Sequence, residues 1–454
     1  MGTTTPLLTL ALGALGALFG PGRIPLISSI LMIAAAAGAA LLTGAALGRL
    51  GHPPGLRLFV VAALCFHPEI AWMATSGMET PLVLLFMAWS LHAAAGRRWT
   101  GAAAAAALLV LTRIDGLLWA AAIFVIIFLE DRPALIRNLA VAGALLLPWA
   151  GLAFLYFGSP IPHSVIAKLE IGPAFDPGGA LHLEAFAAWA APFLGASSPA
   201  GWAAGILFVA AAAMGAGRDK LTWLLIVFPL LYCLALYAGR APLYFDWYLA
   251  PAAYAGLLAG GIGLWNLGRR LARWEGRVWR WTQLRRGAAT LFLLLYFLLL
   301  GRGSLAMAGR QRDYQVNEDA TRRAIGEWLA AKTPPGASVA MEAIGYQGFF
   351  AKRRVIDLAG LISPAVVEIR RSSWSNAEAF HRVLRDLAPD YIVLRTLEVE
   401  KNRHLHGGPL FETPQHAAYF KGRYREVKRF VAPLPEIWGE TASLTIFERM
   451  APPA

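Results

Sequence analysis

Long apolar runs recur through the first 300 residues of this chain and constrain its fold more than any other feature. A helix of roughly 20 apolar residues is long enough to cross a bilayer. Only 15% of the residues are charged, against about 25% in a soluble domain. The runs predict a polytopic α-helical membrane protein with about nine or ten transmembrane or re-entrant helices. The candidate spans are 24–48, 57–75, 79–95, 116–130, 138–157, 200–216, 221–239, 247–267 and 287–301.

Basic residues lie in every second loop between these runs, and this alternation predicts the topology. The net charge of +13 would fit a nucleic-acid-binding protein, but cytoplasmic loops of membrane proteins are also enriched in Lys and Arg. We therefore interpret the basic residues as topology determinants, exclude nucleic acid as a partner, and assign the loops between them to the outer face. The basic positions are Arg49, Arg57, Arg97, Arg98, Arg132, Arg137, Arg218, Lys220 and the linker 269–286.

The composition changes to that of a soluble domain at about Arg310. We predict a transmembrane core over residues 1–301 and an extracytoplasmic α/β domain over residues 302–454. Alternating helices and short apolar strands predict a mostly parallel sheet in this domain. The predicted strands are 338–341, 355–358, 391–394 and 444–447, and the predicted helices are 317–332 and 376–388.

Four short polar motifs interrupt the apolar runs. The predicted topology assigns all four to the outer face. Ionisable groups at membrane depth are costly and tend to mark function, so we expect the motifs to form the rim of one catalytic or binding cavity. The motifs are 76–80, 112–116, 159–163 and 244–248.

Glu79, Arg113 and Asp115 are the charged residues of the first two motifs. Glu79 could hold a substrate hydroxyl or orient a base; alternatively, it is a carboxylate favoured by the dipole at a helix N-terminus. The planar fork of Arg113 suits a phosphate, which it can bind in two places. The alternative is an internal pair of Arg113 and Asp115 that braces a helix break.

His163 and Lys168 open the long loop of the third motif, after two prolines that keep the backbone extended. Histidine is the natural proton carrier at neutral pH, and lysine is a point charge that suits phosphate. The alternative for His163 is an ordinary surface histidine in a loop.

Asp246 stands among aromatic residues at the start of a predicted span. Tyr244 and Trp247 beside a carboxylate suit a sugar ring; alternatively, these aromatics form an interfacial belt. Asp246, Glu79 and Asp115 could ligate a divalent cation, but their spacing is not diagnostic of a metal. No metal ligand or cofactor is therefore assigned.

At these motifs the chain resembles the membrane-embedded C-type (GT-C) glycosyltransferase superfamily, whose members use polyprenyl-phosphate sugars. The closer resemblance is to its bacterial arabinofuranosyltransferase-like members, and it covers nearly the whole chain. The motifs that carry it are 2–7, 76–82, 113–117, 156–164 and 167–168, with 343–346 and 355–361 in the outer domain.

The resemblance implies transfer of a sugar at the outer face of the cytoplasmic membrane. The donor would be a polyprenyl-phosphate pentose, such as arabinofuranose, or a hexose, and the acceptor an envelope glycan, lipid or protein. The residues expected at the substrate are Arg113, Lys168, Tyr244 and Trp247, with supporting roles for Glu79, Asp115, His163 and Asp246.

The same resemblance implies that part of the enzyme precedes this sequence. In the superfamily a first transmembrane helix is followed by an outer loop whose acidic residue is the catalytic base, and the motif 2–7 comes after that loop. We therefore expect the base upstream of Met1. As it stands, the chain is then an enzyme without its base or an inactive homologue.

Two other functions fit the same sequence. A transporter or flippase of lipid-linked sugars would show related halves and broken helices, whereas this chain has no internal repeat and gathers its motifs on one predicted face. An inactive scaffold for envelope assembly is the third interpretation.

Overall fold

The computed structural model describes residues 5–168, 210, 212–216, 219–238, 246–274, 279–403 and 408–450. These residues fall into two compact units. The helical unit takes in the described residues between Thr4 and Pro160 and between Ala180 and Ala308. The mixed unit takes in those between Ile161 and Gly179 and between Gly309 and Ala454. The predicted domain boundary at residues 301 and 302 falls inside a continuous helix.

The helices of the helical unit follow the apolar runs, and prolines and glycines set many of their ends. Helix α8, for example, begins after Asp131, whose carboxylate accepts a hydrogen bond from the Ala134 amide, and ends at Gly158 in the left-handed region. The helices are α1 (Pro6–Phe19), α2 (Ile24–Arg49), α3 (Pro54–Phe66), α4 (Pro68–Thr75), α5 (Thr80–Ala95), α6 (Trp99–Thr112), α7 (Leu117–Glu130), α8 (Arg132–Phe157), α9 (Lys220–Ala238), α10 (Ala250–Trp274) and α11 (Trp279–Glu318), which continues into the mixed unit.

Two helices among the described residues are long and apolar enough to cross a membrane. They are the segment Pro21–Arg49, with a mean hydropathy of 2.2, and α8, with 1.9. Helices α3 and α4 make a third if they are one span bent by 54°; Pro68 lacks the amide hydrogen that would continue α3. The prediction of a mostly helical protein with membrane-type helices and a small C-terminal sheet is confirmed at this level.

Small side chains build the centre of the helical unit. In α6, Ala102, Ala103 and Ala106 are fully buried and belong to the same core as Met87 and Leu91 of α5. Small residues let helix backbones approach closely, which is the usual packing mode of helices in membranes. The alanine-rich run that is too short to span by itself therefore forms the middle of the bundle.

The mixed unit contains a five-stranded sheet in the order β2-β1-β3-β5-β4. The pairs β1–β2 and β1–β3 are parallel, whereas β3–β5 and β5–β4 are antiparallel. The sheet is thus evenly mixed rather than mostly parallel. The strands are β1 (Ser338–Met341), β2 (Arg354–Asp357), β3 (Tyr391–Arg395), β4 (Tyr424–Val431) and β5 (Ser443–Arg449).

The helix predicted to begin at residue 317 instead continues from α11. Asn317 does not cap a helix start: its side chain pairs with the backbone of Leu434 through two hydrogen bonds, of 2.7 and 2.9 Å. A π-helical turn, Asp319–Arg323, joins α11 to the next helix. The remaining helices are α12 (Ala324–Lys332), α13 (Ile344–Ala351), α14 (Pro364–Arg371), α15 (Asn376–Arg382), α16 (Thr396–Glu400), α17 (Pro414–Arg423) and α18 (Pro435–Trp438).

Candidate functional site

Arg113 lies at a sharp break between α6 and α7. Its backbone is extended, with φ −153° and ψ 136°, and a single 3₁₀ turn, Ile114–Gly116, leads into α7. Gly116 permits this turn, since a Cβ there would lie 2.6 Å from Cγ of Leu109. The Arg113 side chain is only 5% exposed, so its charge needs partners inside the protein.

The guanidinium of Arg113 is engaged on all sides by the helical unit. Nε and Nη2 donate to the two carboxylate oxygens of Asp115 at 3.0 and 2.7 Å, and Nη1 donates to the Trp247 carbonyl at 2.9 Å. The ring of Tyr248 lies 5.1 Å from the guanidinium carbon. This geometry is that of the internal pair bracing a helix break; phosphate contact by Arg113 stays a prediction.

Glu79 is the least engaged carboxylate of the cluster. It is the N-cap residue of α5 but makes no side-chain cap hydrogen bond. Its Oε1 lies 3.9 Å from Arg113 Nε, which is an ion-pair distance and too long for a hydrogen bond. The side chain is 16% exposed. Its oxygens therefore have capacity to accept hydrogen bonds from a bound hydroxyl.

Two serines of α2 fix the turn that carries Glu79. Ser28 Oγ donates to the Gly77 carbonyl at 2.6 Å, and Ser29 Oγ donates to the Thr75 carbonyl at 3.1 Å. Gly77 has φ +75°, and a Cβ there would lie 3.1 Å from Ser28 Oγ. Any larger residue at position 77 would thus be strained and would press against α2.

Tyr232 of α9 is a member of the cluster that the sequence interpretation missed. It is 1% exposed, and its hydroxyl donates to Asp115 Oδ2. Its ring packs against Phe228, which in turn meets the Trp119 ring edge-on. The sequence offered one signal: Tyr232 lies within an apolar run. A hydroxyl buried in such a run requires a polar partner, and this requirement could have indicated a nearby polar group.

The fourth motif contributes one backbone carbonyl and one aromatic ring to the cluster. The Trp247 carbonyl and the Tyr248 ring contact Arg113 from the 3₁₀ turn Asp246–Tyr248. Asp246 begins this turn, but its side chain lies outside what the structure describes, and Tyr244 lies wholly outside the described residues. Nothing here tests their predicted contact with a sugar.

His163 and Lys168 belong to the mixed unit rather than to the Arg113 cluster. They lie in a helical segment, 163–168, in which Ala167 is fully buried against Val367. The carbonyl of Gly360 accepts a hydrogen bond from the His163 ring, yet partial burial, together with Arg371, lowers the pKa of His163. The structure thus groups Glu79, Arg113, Asp115 and Trp247 within the helical unit, and the predicted roles of His163 and Lys168 stay predictions.

The predicted cytoplasmic residues gather at the other end of the helical unit. Helices α5, α6 and α7 run back and forth, so the turns after α5 and α7 lie opposite the Arg113 cluster. Arg97 and Glu130 connect these turns through an ion pair of 3.0 Å, and Lys220 at the start of α9 also pairs with Glu130. Among the described residues of the helical unit, the ion pairs of Arg97 and Lys220 with Glu130 therefore lie at the end opposite the Arg113 cluster.

Among the described residues, no three His, Cys, Asp or Glu side chains are arranged to hold a metal ion. Both Asp115 oxygens already accept hydrogen bonds, from Arg113 and Tyr232. A divalent cation, which the sequence left open, remains untested.

Comparison with known proteins adds one finding. A family model described as a domain of unknown function (DUF8728) matches residues 309–447, less than a third of the chain and most of the mixed unit. No curated protein matches the chain.

Proposed function

We propose that the chain is a membrane-embedded transferase that moves a sugar from a polyprenyl-phosphate donor to an acceptor of the cell envelope. In this proposal it belongs to the GT-C glycosyltransferases that its motifs resemble, and it crosses the cytoplasmic membrane about nine or ten times. The mixed unit lies on the outer side, and the Arg113 cluster faces the same side.

One observation carries the proposal. Arg113 joins residues of three separate motifs, 76–80, 112–116 and 244–248, into one polar cluster at a single end of an otherwise apolar unit. Charged groups in such surroundings are expensive and tend to mark function. A reaction between a lipid-borne donor and a water-soluble acceptor needs a polar site of this kind at the membrane surface.

The charges of the cluster favour a hydroxyl-bearing ligand over direct contact with phosphate. Glu79 and Asp115 supply two carboxylates against the single guanidinium of Arg113, and Asp115 fills the fork that a phosphate would need. We therefore assign Arg113 a positioning role. Glu79 accepts a hydrogen bond from a hydroxyl of the donor sugar or of the acceptor, and Trp247 and Tyr248 offer their rings beside it.

In the proposed reaction an acceptor hydroxyl attacks the anomeric carbon of the donor sugar. The bond from that carbon to the phosphate oxygen breaks, and polyprenyl phosphate leaves with the electron pair while the hydroxyl proton passes to a base. The Glu79 cluster contributes by holding the hydroxyl in line for the attack. The leaving phosphate needs a cation, and Lys168 is the residue that the sequence offers for this role.

A transfer assay in proteoliposomes, with the protein including any residues encoded before Met1, tests this function. Glu79→Gln should lower transfer from a polyprenyl-phosphate pentose by about 10- to 100-fold, the usual value of a hydrogen bond to a charged group. The matched control is Glu130→Gln, which removes a carboxylate at the opposite end of the unit and should leave transfer unchanged. Full activity of Glu79→Gln would exclude the proposed role of this residue.

Transport of lipid-linked sugars is the second candidate, and the bend between α3 and α4 favours it. The two helices meet at 54° around His67 and Pro68, and broken helices are common at the binding sites of transporters. Movement of a fluorescent lipid-linked sugar across proteoliposomes, without transfer to any acceptor, would support transport over catalysis. If the protein shows neither transfer nor transport, that result would support the interpretation as an inactive scaffold.

A further inference from the structure

An open pocket of about 500 Å³ lies at the end of the helical unit opposite the Arg113 cluster. It forms between the α5–α6 turn, residues 97–101, and the α7–α8 turn, residues 130–137. Its volume falls in the range of about 300–1,000 Å³ that small-molecule sites occupy. Its three arginines, Arg97, Arg98 and Arg137, were interpreted from the sequence only as topology determinants.

Of the two acidic residues of this pocket, Glu130 is paired with cations and Asp131 is engaged in a helix cap. Glu130 pairs with Arg97 at 3.0 Å and with Lys220, and the Asp131 carboxylate caps α8. By contrast, the side chains of Arg98 and Arg137 have no hydrogen-bond or ion-pair partner in the described part of the chain. Two guanidinium groups without ion-pair partners among the described residues therefore line one concave surface, against the single unpaired carboxylate of Asp131.

The start of α6 adds backbone donors to the same surface. Thr100 and Gly101 in its first turn line the pocket, and the N-cap residue, Arg98, makes no side-chain cap hydrogen bond. The amides of a first helical turn have no partners within the helix and carry partial positive charge. Together with Arg98 and Arg137, they form a surface suited to a phosphate group.

The turn that presents these groups is held in an uncommon conformation. Arg97 has φ +54°, in the left-handed region that residues other than glycine rarely adopt. Its ion pair with Glu130 ties this turn to the end of α7. This conformation ends α5: the Arg98 amide donates to the Ala93 carbonyl at 2.8 Å and the Arg97 amide donates to the Ala94 carbonyl at 2.9 Å, as in a Schellman C-cap.

Exposed apolar residues of α7 and α8 lie close in sequence to the pocket residues and suit acyl chains. Phe128 and Leu129 near the end of α7 are 42% and 51% exposed, and Ile136 and Leu139 near the start of α8 are 79% and 50% exposed. These residues lie within two turns of helix from the pocket residues Glu130 and Arg137. A free anion would leave these apolar side chains uncovered, whereas the acyl chains of a lipid would bury them.

We propose that this pocket binds the phosphate headgroup of an anionic membrane lipid, with its acyl chains along the exposed faces of α7 and α8. Basic pockets between helices on the cytoplasmic side of membrane proteins bind such headgroups. The site is separate from the Arg113 cluster and does not depend on the function proposed above. It anchors the end of the bundle that carries the basic loops.

Native mass spectrometry of the full chain tests the proposal, with titrations of phosphatidylglycerol, phosphatidylcholine and inorganic phosphate. The wild-type chain should retain phosphatidylglycerol in preference to phosphatidylcholine. Arg98→Ala and Arg137→Ala should each weaken that retention by about fivefold, the effect expected for one arginine near an anionic lipid. The control is Arg269→Ala in α10, which removes an exposed arginine outside the pocket, and it should retain the lipid like the wild type.

Three results would overturn the proposal. Equal weakening by Arg269→Ala would show diffuse attraction to charge, and equal retention of phosphatidylcholine would show no headgroup selection. Displacement of the lipid by inorganic phosphate at similar concentration would show a site for free anions. If Arg137→Ala fails to fold, Arg98→Glu at an exposed turn position provides the same test, and unchanged retention in that variant would also overturn the proposal.

Discussion

At the scale of single residues, the helical unit depends on the pairing of one buried cation. Arg113 is 4% exposed and takes its counter-charge chiefly from Asp115. A buried charge that loses its partner is strongly destabilising, whereas an exposed pair contributes little. The pair therefore stabilises the break between α6 and α7 that brings the motifs together.

Asp115→Asn should destabilise the full chain in detergent by about 3–5 kcal/mol, because it leaves the Arg113 guanidinium buried beside a neutral amide. Thermal unfolding followed by circular dichroism measures the loss. Glu130→Gln is the matched control and should cost less than about 1 kcal/mol, since its partner Arg97 is 75% exposed. Equal losses in the two variants would contradict the internal-pair assignment.

Sequence reasoning found the charged members of the cluster but not all of their partners. Glu79, Arg113 and Asp115 stand out because charge in an apolar run is costly. Tyr232 did not, since an aromatic residue in such a run is ordinary until its hydroxyl is seen to reach Asp115. The two hydrogen bonds between Arg113 and Asp115 also required coordinates, although this internal pair was one of the two predicted arrangements.

At the scale of secondary-structure elements, one aspartate joins three strands of the mixed unit. The Asp390 carboxylate precedes β3, accepts hydrogen bonds from the Ser338 amide and hydroxyl at the start of β1, and pairs with Arg449 at the end of β5. Partial burial raises the pKa of Asp390, but the hydrogen bonds from Ser338 and the ion pair with Arg449 outweigh it, so the net pKa is lowered.

Asp390→Asn should therefore weaken protection of the β1 and β5 amides against hydrogen exchange at pH 7, by about fivefold or roughly 1 kcal/mol. The lowered pKa of Asp390 sets the direction in which this stabilisation changes with pH. The carboxylate stabilises the fold above its unfolded pKa of about 3.9, and that contribution is lost as the pH falls through the folded value. The difference between wild type and variant should thus shrink as the pH falls below about 3.9.

Glu426→Gln is the control for this experiment, since Glu426 is an exposed residue of β4 whose ion pair is with Arg429 of the same strand. It should leave the protection of β1 unchanged at pH 7 and at pH 3. A wild-type advantage over Asp390→Asn that persists undiminished at pH 3 would contradict the assigned role of the carboxylate.

The elements were predictable where a single local signal dominates. Strand β1 was predicted with its correct bounds, because a short apolar run between turn residues is too short for most helices. Strand β4 was missed, since it is largely exposed and rich in charged residues. The predicted span 57–75 proved to be two helices. Pro68 indicates the break between them, but the prediction gave more weight to the length of the apolar run.

At the scale of the whole molecule, charge alternation along the sequence corresponds to the two ends of the helical unit. The Arg97–Glu130 pair lies at one end and the Arg113 cluster at the other. The sequence could not reveal that residues 161–168 belong to the mixed unit, because this depends on contacts such as that of Ala167 with Val367, 200 positions away. That His163 and Lys168 join Arg113 at one site stays a prediction.

Cysteine accessibility in intact cells tests the sidedness on which the proposed function rests. In a chain with Cys65 and Cys233 replaced by serine, Ser76→Cys and Glu426→Cys should react with a membrane-impermeant maleimide from outside the cytoplasmic membrane. Arg97→Cys should react only after the membrane is opened. All three positions are exposed in their units, so labelling of positions 76 and 97 from the same side would contradict the account.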